Sequence, residues 1–183
     1  MRIIAGSARS RVIKAPEGLD TRPTLDRVRE SLFNILQRQI PGASVLDLFG
    51  GSGALGLEAV SRGAAHAVIC DRSPKAVRII RENVETLRFG SQVTVMPGDW
   101  RDCVAAMRRQ ERRFRLIFLD PPYEMTDLVD LTDRLLSPLA EDGLVILEHE
   151  QHRDPQVTGS LNLVDLRRYG IAGIRIYAPR KEE

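Results

Sequence analysis

Short apolar runs alternate with longer amphipathic stretches through most of this 183-residue chain. Short runs rich in Val, Ile, Leu and Phe are typical of buried strands, and apolar residues three and four apart are typical of helices. The pattern predicts strands at 44–49, 66–71, 92–96, 116–120, 143–149, 162–169 and 173–178, with helices at 54–62, 74–87, 100–110 and 127–136 between the first five. This alternation indicates an α/β fold with a doubly wound, mostly parallel seven-stranded sheet. The short turn at Gly170 predicts that the C-terminal strand is antiparallel.

The first forty residues precede this alternation. Two β-prone runs, 2–5 and 11–14, flank a Gly-Ser-Ala-Arg-Ser segment and predict a hairpin with arginines at its tip. Thr24 is the predicted N-cap of a helix whose apolar residues recur at helical spacing until Pro41 and Gly42 end it. We therefore expect an extension over 1–40, not an independent domain, and a main domain over 41–183.

Charge is distributed unevenly along the chain, although the net charge is only +2. Residues 1–40 contain eight basic and four acidic side chains, and a second basic cluster places five arginines within 108–115. A basic extension on a nearly neutral body suits a polyanion such as nucleic acid. An ordinary solvated basic face is the common alternative, so charge alone favours nucleic acid only weakly.

The composition also excludes several classes of protein. No apolar stretch is long enough to span a bilayer, and the N-terminus lacks the apolar block of a signal peptide. We therefore expect a cytoplasmic protein without membrane contact; separately, we expect a monomer. The two cysteines and three histidines lack the spacing of metal ligands, so we expect no metal site.

A glycine-rich turn follows the first predicted strand. Gly51, Gly53 and Gly56 match the dinucleotide pattern G-x-G-x-x-G, and Asp71 ends the next strand 20 positions after Gly51, where a carboxylate can bind ribose hydroxyls. This spacing alone would support a nicotinamide dehydrogenase. Asp47 argues against that interpretation, because a carboxylate beside the turn would repel a pyrophosphate. S-adenosylmethionine has no phosphate, and its ammonium and sulfonium groups suit a nearby acid.

The next two strands also end in candidate ligand-binding residues. Asp99 can accept a hydrogen bond from an adenine amino group and Trp100 can pack on the ring, but a helix N-cap and a core anchor explain them equally well. The fourth strand ends in Asp120-Pro121-Pro122-Tyr123. Its prolines have no N–H to continue a ladder, so an acid, free carbonyls and an aromatic ring lie at the edge where open α/β sheets bind ligands. Such a group suits a flat molecule that bears an amino group.

These motifs together resemble the class I S-adenosylmethionine-dependent methyltransferases that methylate amino groups, which have a Rossmann-like sheet. The resemblance implies that the following residues bind the cofactor: Asp47, Phe49, Gly50, Gly51, Gly53, Asp71, Arg72, Asp99, Trp100 and Asp120. It also implies that Asp120, Pro121, Pro122 and Tyr123 are catalytic, with Asp120 and the Pro121 carbonyl accepting from the amine and Tyr123 stacking on the base.

The N-terminal sequences at 2–6, 22–24, 26–30 and 32–34 resemble the signature of the RsmD family. Members of that family methylate the N2 atom of a guanine in bacterial 16S ribosomal RNA. The resemblance covers residues 1 to about 178 and implies S-adenosylmethionine as methyl donor, no metal, and 16S ribosomal RNA or a small-subunit particle as partner. The residues then expected to contact RNA are Arg9, Arg11, Arg22, Thr24, Arg27 and Arg29. Arg27 is left open between RNA and the cofactor carboxylate, and surface salt bridges would explain some of these charges equally well.

Four other functions compete with this interpretation. A DNA or RNA adenine-N6 methyltransferase would share the tetrapeptide, but a DNA enzyme usually needs a target-recognition region for which 183 residues leave no room. A glutamine methyltransferase of release factors normally has Asn at the position of Asp120. The intact acids argue against a non-catalytic RNA-binding assembly factor, and Asp47 argues against a nicotinamide oxidoreductase.

Overall fold

The computed structural model describes residues 1–16, 23–122 and 124–180 of the chain. The helices are α1 (Pro23–Ile35), α2 (Ala54–Ser61), α3 (Pro74–Leu87), α4 (Trp100–Arg109) and α5 (Leu128–Leu135). The strands are β1 (Ser44–Asp47), β2 (His66–Asp71), β3 (Val93–Pro97), β4 (Phe114–Leu119), β5 (Leu139–Glu150), β6 (Leu161–Tyr169) and β7 (Ala172–Pro179). None of the helices in these ranges combines the length and apolarity that a membrane crossing requires.

The strands form a single mixed sheet in the order β3-β2-β1-β4-β5-β7-β6. β1 to β5 are parallel, and β7 runs antiparallel to β5 and β6. The predicted doubly wound, mostly parallel sheet with an antiparallel C-terminal strand is therefore confirmed. The strand order reverses between β1 and β4, and ligands of open α/β sheets bind at such a switch point, beyond the carboxyl ends of the strands.

Two apolar layers cover the two faces of the sheet. On the first face, α1, α2 and α3 pack against alternate strand residues, and Phe33 lies 5.7 Å from Phe118 between ring centroids. On the second face, α4 and α5 cover the intervening residues, with Met107 and Leu131 fully buried. Strands covered on both faces are continuously apolar, which explains why these runs were readily predicted from the sequence.

The N-terminal segment is attached to α2 through a buried acid. Ile4 and Ala5 donate their backbone N–H groups to the Glu58 carboxylate at 2.8 and 3.0 Å, and Arg62 forms a 2.7 Å ion pair with it. Glu58 has 0% exposure, so its charge is compensated by these donors and not by water. Gly6 follows with φ +86°, and a Cβ there would lie 1.8 Å from the Ser61 carbonyl oxygen. Only glycine fits such an approach.

The predicted hairpin is reduced to one antiparallel bridge, between Arg2 and Val12. The Ile3 N–H donates across to the Arg11 carbonyl, and the Ile13 N–H donates to the Met1 carbonyl. The pairing is short because the next backbone donors, those of Ile4, Ala5 and Ala8, donate to α2 instead. The apolar side chains of the N-terminal segment, including Ile3 and Ile13, belong to the first-face core. The first helix begins at Pro23, so Thr24 lies within the helix and does not precede it as the predicted cap.

Candidate functional site

A cavity of about 640 Å³ opens at the carboxyl ends of the central strands. It lies where β1, β2, β3 and β4 end, at the predicted edge of the sheet. Of the predicted cofactor residues it brings together seven: Phe49, Gly51, Asp71, Arg72, Asp99, Trp100 and Asp120. Pro121 and Pro122 complete that wall, and Leu48, Gly98, Arg101, Glu124, Met125, Thr126 and Asp127 form the rest of the lining.

The glycine turn forms one wall of this cavity and is held by Asp71. Its carboxylate accepts from the Gly51 N–H and the Ser73 N–H, both at 2.8 Å, and so connects the turn to the end of β2. Gly51 faces open space, whereas a Cβ on Gly50 would meet Ile69 at 2.5 Å. Gly53 has φ +80° at the start of α2. Gly50 and Gly53 shape the turn but are not among the residues that line the cavity, and their predicted contact with the cofactor stays a prediction.

Asp47 also lies behind the turn and does not line the cavity. The side chain is 1% exposed, and one carboxylate oxygen accepts from the Gly56 N–H at 3.0 Å. Its other oxygen has no partner among the described residues. Burial, together with the charges of Asp120 and Asp71, raises the pKa of Asp47 to about 7, although the Gly56 hydrogen bond opposes the rise. The predicted ligand contact of Asp47 is thus replaced by a supporting position beneath the glycine turn.

Asp99 and Trp100 occupy the N-cap and core positions considered for them, and both also line the cavity, while their contact with adenine stays a prediction. Asp99 is the N-cap of α4, accepting from the Arg101 N–H at 3.0 Å, and it also lines the cavity. Trp100 is 6% exposed and belongs to the second-face core, while its remaining surface faces the cavity. The strand-end position thus serves helix capping and cavity lining together.

Arg101 is a cavity residue that the sequence analysis missed. Its guanidinium lies 4.4 Å from the centroid of the Trp100 ring and forms ion pairs with Asp99 and with Asp127 at the start of α5. It thereby connects the two helices that flank the opening. A positive charge in the first turn of a helix opposes the helix dipole, and that unfavourable placement is the signal that could have found it.

Asp120 is the first residue after β4. It lines the cavity beside Pro121 and Pro122. Solvent reaches it through the opening, and the surrounding protein raises the pKa of its carboxyl to about 6 by desolvation. The Pro122 carbonyl accepts from the Met125 N–H at 2.9 Å, whereas no described residue donates to the Pro121 carbonyl. One carboxylate and one carbonyl are therefore available as acceptors. Tyr123 lies outside the described residues.

A second cavity, of about 320 Å³, lies on the other side of Pro121 and Pro122. It is bounded by the loop before α5, the end of β5 and the segment that follows, and Glu148 is one of its acids. Burial and the neighbouring Asp120 charge raise the pKa of Glu148 to about 8. The sequence analysis missed Glu148, although an acid at the end of an apolar strand is the same signal that identified Asp120.

Two of the arginines expected to contact RNA are exposed on one groove. Arg9 and Arg27 line a depression of about 290 Å³ between the N-terminal segment and α1, together with Arg2. Neither the Arg9 nor the Arg27 guanidinium forms an ion pair or hydrogen bond with a described residue. Arg11 is exposed as well, but its guanidinium donates to the carbonyls of Thr86 and Leu87 at the end of α3.

Arg29 was expected to contact RNA, but the structure buries it. It is 6% exposed, and its guanidinium donates to the Arg2 carbonyl at 2.6 Å and pairs with Asp26 at 3.0 Å. Burial lowers the pKa of Arg29, and the Asp26 charge partly restores it. The side chain thus connects α1 to the N-terminal segment and does not reach a surface where RNA could bind. Arg22 and the side chain of Thr24 lie outside the described residues.

The second basic cluster is remote from this site. Arg108, Arg112 and Arg113 line a separate cavity of about 480 Å³ at the end of α4, before β4 begins. Parallel strands start there, at the sheet edge opposite the carboxyl ends. The structure therefore does not bring this cluster together with Asp120 or the glycine turn.

Known proteins similar to this chain share its length and fold. The family model described as "Conserved hypothetical protein 95" matches residues 1–178. The Bacillus subtilis (strain 168) protein "Putative rRNA methyltransferase YlbH" is 40% identical over 98% of this chain and 100% of its own length. "Ribosomal RNA small subunit methyltransferase D" of Escherichia coli (strain K12) is 34% identical over 97% of this chain and 89% of its own. The solved structure "Putative methyltransferase yhhF from Escherichia coli" is 34% identical, with a TM-score of 0.85 over 100% of this chain and 99% of that one.

Proposed function

The chain belongs to the RsmD family, whose model is described as "Conserved hypothetical protein 95", and from this we propose that it methylates ribosomal RNA of the small subunit. The methyl donor is S-adenosylmethionine and the acceptor is the exocyclic N2 amine of a guanine. The protein acts on 16S ribosomal RNA or on a small-subunit particle, in the cytoplasm and as a monomer.

The observation that carries this proposal is the position of Asp120 and the two prolines between two cavities. Pro121 and Pro122 line both the larger and the smaller cavity. Methyl transfer requires the methyl donor and the acceptor base to be in contact. Pro121 and Pro122 form a ridge between the two cavities, and a donor in one cavity can meet a base in the other at this ridge.

The larger cavity has the groups that S-adenosylmethionine requires. Asp71 has free lone pairs for ribose hydroxyls in addition to the two backbone donors that it accepts. Asp99 can accept from the adenine amino group while its other oxygen caps α4, and the exposed surface of Trp100 can pack on the ring. The sulfonium supplies an activated methyl group. The acids Asp71 and Asp120, which both line this cavity, provide a negative field that suits its positive charge.

Asp120 and the Pro121 carbonyl act on the amine. The exocyclic nitrogen of guanine is a poor nucleophile because its lone pair is delocalised into the ring. Two acceptors that hold its N–H bonds increase the electron density on nitrogen and fix its direction of approach. In the transfer, the nitrogen–carbon bond forms as the sulfur–carbon bond breaks, and the amine loses one proton. A carboxyl with a pKa of about 6 is a better acceptor for that proton than an ordinary aspartate.

Positioning supplies a large part of the remaining rate enhancement. Alignment of nitrogen, methyl carbon and sulfur can contribute about 7–11 kcal/mol without any metal ion. The base must leave its stack to reach the ridge, which an RNA loop permits at low cost. Arg9 and Arg27 are exposed beside one groove and can hold the phosphates of that loop.

Labelled methyl transfer tests the proposal directly. We expect the protein to transfer methyl groups from S-adenosylmethionine to 16S RNA or small-subunit particles that lack the modification, and mass mapping should locate N2-methylguanine. Asp120→Ala should reduce turnover at least about 100-fold, because a positioned acid–base group contributes about 10²–10⁴-fold, while cofactor affinity stays within a few-fold of wild type. Transfer to adenine in DNA, with none to ribosomal RNA, would refute the proposal.

A further inference from the structure

Glu148 is an acid at the end of β5 to which the proposed reaction assigns no role. It is partly buried and lines the smaller cavity together with Pro121 and Pro122. No described residue forms a hydrogen bond or ion pair with its carboxylate. Removing a carboxylate from water without a compensating donor is unfavourable, so the arrangement suits a ligand that brings its own donor.

The sheet register places Glu148 beside Asp120. Leu119 of β4 pairs with Leu147 of β5 in parallel register, and the next residue of each chain segment is an acid. Neighbouring strands lie about 4.8 Å apart, so two carboxylates lie side by side at the same edge of the sheet. The charge of Asp120 contributes to the raised pKa of Glu148, after burial, which agrees with their proximity.

Two adjacent acceptors match one kind of nucleobase edge. Guanine presents its N1–H and its N2 amine next to each other, so both groups donate. Adenine and cytosine present an amine next to a ring nitrogen that accepts, and an ionised carboxylate can only accept. Their ring nitrogen would meet Glu148 lone pair to lone pair. Unstacked RNA bases are commonly recognised by hydrogen bonds on this edge.

We propose that Glu148 accepts the N1–H of the target guanine while Asp120 accepts from the N2 amine that receives the methyl group. Glu148 is then the specificity-determining residue of the smaller cavity, and it discriminates against bases with an acceptor at that ring position. The inference rests on the proposed function, since it takes an RNA base to be the methyl acceptor. A donor placed against a carboxylate also favours its ionised form, so the bound guanine itself provides the charge state that this contact needs.

The base analogue 2-aminopurine separates this role from catalysis. It has the same amine as guanine, but its N1 accepts where that of guanine donates. The experiment compares kcat/KM for RNA with guanine and with 2-aminopurine at the nucleotide that the wild-type enzyme modifies. It is run above the pKa of about 8 that Glu148 has in the folded protein, because a protonated carboxyl could donate to N1 of 2-aminopurine. We expect the wild type to prefer guanine by about 100-fold or more, because a site built for a donor rejects an analogue that lacks it.

Glu148→Gln should reduce this preference at least about 10-fold, because the new amide can donate to N1 of 2-aminopurine. The matched control is Glu141→Gln, which makes the same change at an exposed position near the start of β5 and should leave the preference and the rate unaltered. A preference in Glu148→Gln equal to that of the wild type would overturn the inference. Unchanged cofactor affinity verifies that the variant is folded.

A second variant protects the test against a folding defect. Glu148→Asp keeps an acceptor-only carboxylate one methylene further back, so it should lower the rate but retain the preference for guanine. Loss of the preference in Glu148→Asp would also overturn the inference. If the wild type transfers no methyl group to any guanine of 16S RNA, the proposed function fails. A wild type that methylates guanine, together with an unchanged preference in the variants, overturns the Glu148 assignment alone.

Discussion

Replacement of Asp47 by asparagine should change how the stability of the cofactor-free protein depends on pH. Burial raises the pKa of this carboxyl from 3.8 to about 7 in the folded protein. In the unfolded chain it returns to its ordinary value. Between pH values of about 4 and 7 the folded state therefore keeps a proton that the unfolded state has released, and stability falls as the pH rises.

The size of the effect follows from the difference between the two pKa values. A rise from 3.8 to about 7 corresponds to roughly 4 kcal/mol, at about 1.4 kcal/mol for each pKa unit. Asparagine cannot ionise, keeps an oxygen for the Gly56 N–H, and buries an amide whose cost does not vary with pH. The free energy of unfolding of Asp47→Asn, relative to wild type, should therefore increase by about 4 kcal/mol between pH 4 and pH 8.

Urea unfolding of both proteins at several pH values in this range measures the difference. Asp142→Asn is the matched control, because Asp142 is 69% exposed and should give a difference that barely changes with pH. A difference between Asp47→Asn and wild type that stays constant to within about 1 kcal/mol, less than one pKa unit, would refute the reasoning. Such a result would mean that water reaches the Asp47 carboxyl in the folded protein despite its burial beneath the glycine turn.

Three further predictions concern catalysis, folding and RNA binding. Since the pKa of Asp120 is raised to about 6, kcat/KM should fall as the pH drops below that value, and a flat pH–rate profile down to pH 5 would contradict its role as acceptor. Gly6→Ala should destabilise the protein by at least about 2 kcal/mol in urea unfolding. The left-handed backbone conformation at this position costs other residues about 1–2 kcal/mol, and the new Cβ would also clash with the Ser61 backbone. In contrast, Gly90→Ala, whose Cβ would face open space, should change stability by less than about 1 kcal/mol. Arg9→Glu should weaken RNA binding and lower its salt dependence, Arg109→Glu near the opposite sheet edge should do neither, and equal effects of the two would argue for non-specific attraction.

The alternation of elements was predictable because its signals are local. The run from Leu116 to Leu119 is apolar throughout, since both faces of a parallel strand are covered, and Gly170 marks the final turn. The periodicity of α1 also distinguishes its two neighbouring arginines. Arg27 and Arg29 are two positions apart, which on a helix turns them to nearly opposite sides, so the burial of Arg29 beside Val28 followed from the same periodicity that placed the helix.

Features that depend on distant partners were not predictable in this way. Glu58 has the sequence environment of an ordinary helix, yet its partners are backbone amides 53 and 54 positions earlier in the chain. Glu148 lies beside Asp120 only because β4 and β5 pair in a particular register. Asp47 lies behind the glycine turn although the linear motif places it beside the ligand. In each case the position of the side chain depends on residues that are distant in the sequence, so the local pattern alone could not predict its contacts.

The attachment of the N-terminal segment to Glu58 limits which residues can be swapped between relatives in a chimaera designed to change RNA preference. Because the donors to Glu58 are backbone N–H groups, a chimaera that replaces residues 1–16 keeps them unless it has proline at position 4 or 5. It also needs glycine at position 6, where any Cβ would meet the Ser61 carbonyl, and a chimaera that breaks either condition should fail to fold before its RNA preference can be compared. The N-terminal segment and its anchors Glu58 and Ser61 of α2 should therefore be exchanged together. Transplanting all of them together is the design that would move specificity and leave the catalytic sheet intact.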